Sequence, residues 1–159
     1  MTTSLERGVR AELEDLAGAE HVRVQEGDFV PFSRDATPLF WHSPDAVVFP
    51  RSADEVAAVL RLATRRRIPV VPRGQGSNLC AAAVPVRGGI VLSLTRMNRI
   101  LEVSRDELLA VCEPGVTTYE LAQAADARGL LYATPPTRAA PRCRRWAATW
   151  PPARGACAG

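Results

Sequence analysis

The segment Val70-Val71-Pro72-Arg73-Gly74-Gln75-Gly76-Ser77-Asn78-Leu79 constrains this chain more than any other. Two β-branched residues close a buried-strand pattern, and glycines at alternate positions follow at once. Glycine lacks a Cβ, so Gly74 and Gly76 are expected to take positive φ and to let the backbone approach a ligand closely. Successive N–H groups in such a loop form a concave nest for an anion, most often a phosphate. Any fold adopted by the chain has to present this loop at an open strand end.

The flanking residues supply that setting. Ala46-Val47-Val48-Phe49 is a short apolar strand closed by Pro50, and Ser52-Ala53-Asp54-Glu55 is a capping box that opens a helix. Val56, Val59, Leu60 and Ala63 recur at helical spacing and are expected to face a sheet, with Arg61 outside. Arg65, Arg66 and Arg67 fall in the last turn, where cations complement the helix dipole; a solvated helix end explains them better than a nucleic-acid patch. Strand, helix, strand is a βαβ unit with parallel strands and a right-handed crossover. The glycine loop then leaves the carboxyl end of a parallel strand, where ligands of open α/β sheets bind. A dinucleotide fingerprint needs a third glycine and a helix directly after the loop. Here residues 78–85 are small and proline-broken, and Gly88-Gly89 turns into the strand Ile90-Val91-Leu92-Ser93-Leu94, which excludes a Rossmann NAD site.

Elsewhere the pattern is plainer. Thr3 with Glu6 reads as a capping box, and Leu5, Val9, Leu13 and Leu16 share one face of a helix that stops at Gly18. Residues 21–44 are irregular, with Phe29, Phe32, Phe40 and Trp41, and suggest an ordered loop pinned by aromatics. In it, Asp35 reads as a turn or cap residue rather than a base, and His42 as a surface histidine. Residues 100–103 and 108–112 form a hairpin, and Pro114-Gly115-Val116 is a second backbone-exposing turn. Thr117 and Glu120 cap a helix that carries Leu121, Ala124 and Ala125 and ends at Gly129; Leu130-Leu131-Tyr132 is expected to begin another strand.

Composition narrows the function classes. The chain has 159 residues, 47% of them hydrophobic, enough for one domain with a core. Its formal charge of +3 gives little reason to expect nucleic acid, although all 20 basic residues are arginine. Cys80, Cys112, Cys143 and Cys157 form no C-x-x-C pair, so no metal site, redox motif or disulfide scaffold is expected. The first residues carry charges throughout and lack an apolar run, so a cytoplasmic location without a membrane span is expected.

The order of these parts resembles the FAD-binding N-terminal domain of the FAD-linked oxidases, the family of vanillyl-alcohol oxidase and of the glycolate and D-lactate oxidase subunits. The resemblance rests on Val48-Phe49-Pro50-Arg51-Ser52 with Glu55-Val56, on Pro72-Arg73-Gly74-Gln75-Gly76-Ser77, on Gly88-Gly89-Ile90-Val91-Leu92-Ser93-Leu94 with Met97-Asn98-Arg99-Ile100, and on Glu113-Pro114-Gly115-Val116-Thr117 with Glu120-Leu121. It covers about residues 45–132, the FAD-binding part, after an N-terminal helix and loop over 1–44. It implies an α+β, PCMH-type FAD-binding domain, here incomplete: a βαβ unit followed by a mixed sheet flanked by helices. It also implies that Pro72, Arg73, Gly74, Gln75, Gly76, Ser77 and Asn78 cradle the FAD pyrophosphate and that Pro114 and Gly115 line the cleft. The implied substrate is a small 2-hydroxy acid such as glycolate or D-lactate. Family members carry their substrate and proton-abstracting residues in a C-terminal domain, so no catalytic residue is named and the 159 residues alone are expected to hold FAD weakly and not to turn over. One departure is visible: Asn78, Cys80, Ala81 and Ala82 stand where the glycolate-oxidase branch shows further glycines and a serine.

After Tyr132 the pattern fails. Residues 133–159 hold Arg138, Arg142, Arg144, Arg145, Trp146 and Trp150 among Ala, Pro and Gly, with no hydrophobic period. An arginine- and tryptophan-rich tail can bind phosphates and stack on bases, which would make the chain a non-enzymatic nucleic-acid module. The alternative is translation out of frame. If each true codon spans the last base of one codon and the first two of the next, Trp146-Ala147 must encode glycine and Trp150-Pro151 alanine; with GC-rich codons at most other positions, Arg144 through Pro152 can encode serine-threonine-valine-glycine-glycine-asparagine-leucine-alanine-threonine, where the family continues with a serine-threonine-isoleucine-glycine-glycine-asparagine loop. A one-base slip near residues 133–135 is the expectation, and the nucleotide sequence through these codons tests it.

Overall fold

In the computed structural model, residues 7–37 and 39–133 are described. The Thr3–Glu6 cap, the tail from residue 134, Cys143 and Cys157 lie outside them. The chain opens with α1 (Arg7–Ala17), which presents Val9, Leu13 and Ala17 to the interior and stops at Gly18 with φ 89°. A two-residue strand, β1 (Val22–Arg23), follows, and then a 3-10 helix over Glu26–Phe32. β2 (Ala46–Val48), α2 (Ala53–Arg66) and β3 (Val70–Arg73) form the expected βαβ unit. β4 is Ile90–Ser93, β5 Ile100–Ser104, β6 Leu109–Cys112 and α3 Thr118–Asp126.

β1, β2, β4 and β3 form one mixed sheet in that order, with β4 parallel to both neighbours and β1 antiparallel to β2. The two strands of the βαβ unit are therefore parallel but not adjacent, because β4 inserts between them. β4 is buried at all four positions, as a central strand covered on both faces must be. One face, carrying Ala46, Val48, Ile90 and Leu92, packs under Val9 and Leu13 of α1 and Val59 and Leu62 of α2. The other, carrying Val47, Val91 and Val71, packs under Phe29, Phe32 and Phe49. β5 and β6 pair antiparallel as a separate hairpin, as expected from their spacing.

Local rules account for the helix starts. Ser52 accepts from the Glu55 N–H at 3.3 Å, while the Glu55 carboxylate turns back to the N–H and side chain of Arg51. Thr117 and Glu120 form a complete capping box. At the end of α2, Arg65 and Arg66 reach Glu12 of α1 at 3.4 and 2.6 Å, so the arginine cluster joins two helices.

Four expectations need correction. On α2 it is Leu62 that is fully buried, while Leu60 is 43% exposed: the buried stripe runs through Val56, Val59, Leu62 and Ala63 and leaves Leu60 on its outer rim. Leu130-Leu131-Tyr132 forms no strand; among the described residues no strand pairs with it, the Leu130 N–H donates to the Ala125 carbonyl of α3, and Leu131 is 94% exposed. Of the four aromatics in residues 21–44, Phe29 and Phe32 pin the segment, Phe32 meeting Phe49 edge to face at 5.7 Å, whereas Phe40 and Trp41 are exposed. Of the two loop glycines only Gly76 takes positive φ, at 69°; Gly74 needs none.

Candidate functional site

The parallel strands β2, β4 and β3 end at one edge of the sheet, and both segments singled out in the sequence come to it. The glycine loop leaves the end of β3. A 3-10 turn over Leu94–Arg96 leaves the end of β4 and packs against β3. Arg96 fastens this turn to the end of β2 by donating to the Phe49 carbonyl at 2.7 Å. Gly115 in turn lies on the 94–97 backbone, its N–H donating to the Met97 carbonyl at 2.6 Å, and a Cβ there would collide with the carbonyl oxygens of Leu94 and Met97. Pro114 and Gly115 are thus held beside the β4 exit by close backbone packing, and the Gly115 N–H is spent on protein.

The loop itself has the opposite character. Among the described residues, no backbone N–H from residues 74–80 donates to a protein acceptor, although Gly74 and Gly76 are buried. Buried backbone donors are paired in nearly all native structures, so the unpaired N–H groups of Gly74 and Gly76 mark a place where something else accepts. The Gln75 side chain is exposed, and those of Ser77 and Asn78 are half-buried.

Arg73 does not reach outward as a phosphate-binding side chain would. It is 5% exposed; its guanidinium donates to the Pro31 carbonyl at 2.8 Å and the Ala83 carbonyl at 3.3 Å, and lies 5.7 Å from the Phe32 ring centroid. Burial lowers its pKa and the Asp35 carboxylate opposes that shift. The guanidinium lies under Gly76, where any Cβ would run into it. Arg73 therefore supports the loop from below and leaves the backbone amides of residues 74–80 without a protein acceptor. Pro72, inside β3 opposite Leu92, is exposed and contributes strand register rather than a donor.

Asn78 is likewise engaged with protein. Its side-chain amide donates to Asp35 Oδ2, while Asp35 Oδ1 accepts the Thr37 N–H at 2.8 Å. The second bond is the turn role expected for Asp35; the first, a long-range contact to the glycine loop, left no local signal. His42 is an exposed loop residue whose N–H donates to the Ser33 carbonyl. No cluster of metal-ligating side chains occurs among the described residues, and the Cys80 side chain is exposed. Farther out, Arg99 and Glu113 pair at 2.7 and 3.0 Å, and the Arg99 hydrogen bonds hold the Glu113 carboxyl below its ordinary value.

Comparison with known proteins gives this edge a context. A family model described as an FAD binding domain matches residues 44–142. The glycolate oxidase subunit GlcD of Bacillus subtilis (strain 168) is 37% identical over 131 residues, which is 82% of this chain and 28% of that protein. D-2-hydroxyglutarate dehydrogenase of Stutzerimonas stutzeri (strain A1501) is 38% identical over 121 residues, 76% of this chain and 26% of that protein. A solved structure of p-cresol methylhydroxylase with substrate bound aligns with a TM-score of 0.69 over 82% of this chain and 27% of that one; at 24% identity it shows the shared fold. This chain thus spans little more than a quarter of the length of these relatives. Unpaired amides at a parallel strand end, with a buried cation beneath them, fit a dinucleotide pyrophosphate. The chain belongs to the FAD binding domain family, with the PCMH-type fold and FAD as its cofactor.

Proposed function

We propose that this chain forms the pyrophosphate-binding wall of an FAD-linked oxidoreductase acting on a small 2-hydroxy acid such as glycolate or D-lactate. The unpaired N–H row of residues 74–80 is the observation that carries this reading. In it, the backbone amides of Gly74, Gln75, Gly76 and Ser77 hold the phosphates, with the Ser77 hydroxyl within reach as a further donor. Arg73 places its positive charge beneath them, and Asn78 fixes the far end of the loop. Pro72 sets the exit of β3, and Pro114 with Gly115 forms the side wall against the 94–97 backbone. Bound FAD would supply the two-electron acceptor for oxidation of an alcohol carbon. None of these residues carries a proton in that reaction, and no catalytic residue is assigned to them. The substrate class rests on the two relatives, whose names specify 2-hydroxy acids. No helix among the described residues is long and apolar enough to cross a membrane, and a cytoplasmic setting is part of this proposal.

Fluorescence titration of FAD with the full chain tests it. ADP, which carries the pyrophosphate, is expected to displace FAD, whereas riboflavin, which lacks it, is not. Gly76→Ala should weaken FAD binding at least about tenfold, because the Cβ both strains the backbone and displaces Arg73. Equal competition by riboflavin and ADP would refute the pyrophosphate assignment.

A further inference from the structure

The glycine loop has no regular structure, and its amides make no bonds to protein, so its shape must be imposed from outside. Two side-chain systems do this, and both use residues that precede the family-matched segment. At its start, Arg73 is anchored on the Pro31 carbonyl, at the end of the 3-10 helix. At its far end, Asp35 accepts from the Asn78 side chain, the Ala36 N–H donates to the Asn78 carbonyl at 3.2 Å, and the Thr37 hydroxyl accepts from the Ala81 N–H at 3.3 Å. Asp35 is only 8% exposed, and its two oxygens are divided between its own turn and the loop. A carboxylate buried beside an anion-binding loop is electrostatically adverse to that anion; its place is explained by what it holds.

We infer that residues 31–37 are a strap that sets the phosphate loop in its ligand-ready shape, with Asp35 as the positioning residue acting through Asn78. That the loop binds a phosphate rests on the function proposed above, but the strap itself does not. Preorganisation of this kind raises affinity by removing the entropy of ordering the loop on binding. The strap's members are joined to the loop across 43 and 44 residues of sequence, so they act on it only once the sheet has formed.

Amide hydrogen exchange on the full chain without added ligand isolates this effect. Asp35→Asn replaces one of the two acceptor oxygens by a donor, so it cannot serve both the Asn78 amide and the Thr37 N–H, and should speed exchange at Ala81 about tenfold or more while leaving β4 unchanged. The exchanged pair Asp35→Asn with Asn78→Asp reverses the hydrogen bond and should recover most of the protection. Thr37→Val, a milder change, should expose the Ala81 amide alone. The strap is refuted if Asp35→Asn leaves Ala81 as protected as before, if β4 loosens in parallel, or if the exchanged pair fails to recover. Added FAD separates the two readings. If FAD protects the wild-type loop, the exchanged pair should bind FAD more weakly despite its restored loop, because a carboxylate now sits on the anion side. If FAD leaves wild-type exchange unchanged while Asp35→Asn still loosens the loop, the pyrophosphate assignment fails and the strap stands.

Discussion

Ala81 holds φ 56°, in the left-handed region that costs a residue with a Cβ roughly 1–2 kcal/mol. It is one of the positions where the glycolate-oxidase branch is expected to carry glycine, so the departure read in the sequence is here a backbone strain. Its N–H bond to Thr37 and its carbonyl bond to the Val84 N–H keep it there. Ala81→Gly is therefore expected to stabilise the chain by about 1 kcal/mol, read as a higher urea midpoint at unchanged slope; a loss of stability would show that unfolded-state entropy outweighs the relieved strain. The Arg99–Glu113 pair makes a second prediction. Arg99 hydrogen bonds hold the Glu113 carboxyl below its ordinary value of 4.5, so the folded state favours the ionised form. That contribution is complete above about pH 4.5 and is lost as pH falls through the depressed folded value. Arg99→Met should remove it and move the acid-unfolding midpoint to higher pH, followed by circular dichroism. Glu12, lowered by Arg66 and Arg65, acts with the same sign but is exposed and screened by salt.

The βαβ unit, the caps at Ser52 and Thr117 and the hairpin follow from neighbours within a few residues and stand as expected, whereas two other local expectations, the strand over Leu130-Leu131-Tyr132 and the positive φ at Gly74, do not. The remaining missed features are non-local. β1 is two residues long, too short to show alternation, and exists because Val22 and Arg23 pair with Val48 and Val47. The Asp35–Asn78 bond spans 43 residues, and no motif could foretell it. Arg73 stood in the expected motif, but the direction of its side chain depends on carbonyls at Pro31 and Ala83. On α2 the error was one of phase. Leu60 and Leu62 both lie near the apolar stripe in the sequence, and only docking on β2 and β4 decides between them. Leu62→Ala should cost about 2–5 kcal/mol, as for a fully buried leucine, and Leu60→Ala under about 0.5 kcal/mol beyond any change in helix propensity, both measured by chemical denaturation. The reverse ranking would place α2 in the rotation expected from the sequence.

The described part of the molecule is unevenly covered. The four-stranded sheet has helices on one face and the 26–32 segment on the other, and it carries the glycine loop at its edge. The β5–β6 hairpin lies apart from that sheet. It touches α3, and Arg128 beyond α3 donates to the Val103 carbonyl at 2.7 Å; yet Leu101, Leu108, Leu109 and Val111 remain exposed. A lone two-stranded hairpin is marginal in water, and regions with few buried apolar contacts open without global unfolding. Amides of β5 and β6 should accordingly exchange through local opening, at least about a hundredfold faster than those of β4, whose four residues are buried. Adding urea below the unfolding midpoint should accelerate β4 steeply and the hairpin little, because only global opening exposes much new surface. Equal exchange and equal urea dependence in both would show that the hairpin and α3 unfold as one unit with the sheet, and that the glycine loop is held by the whole domain rather than by the sheet and strap alone.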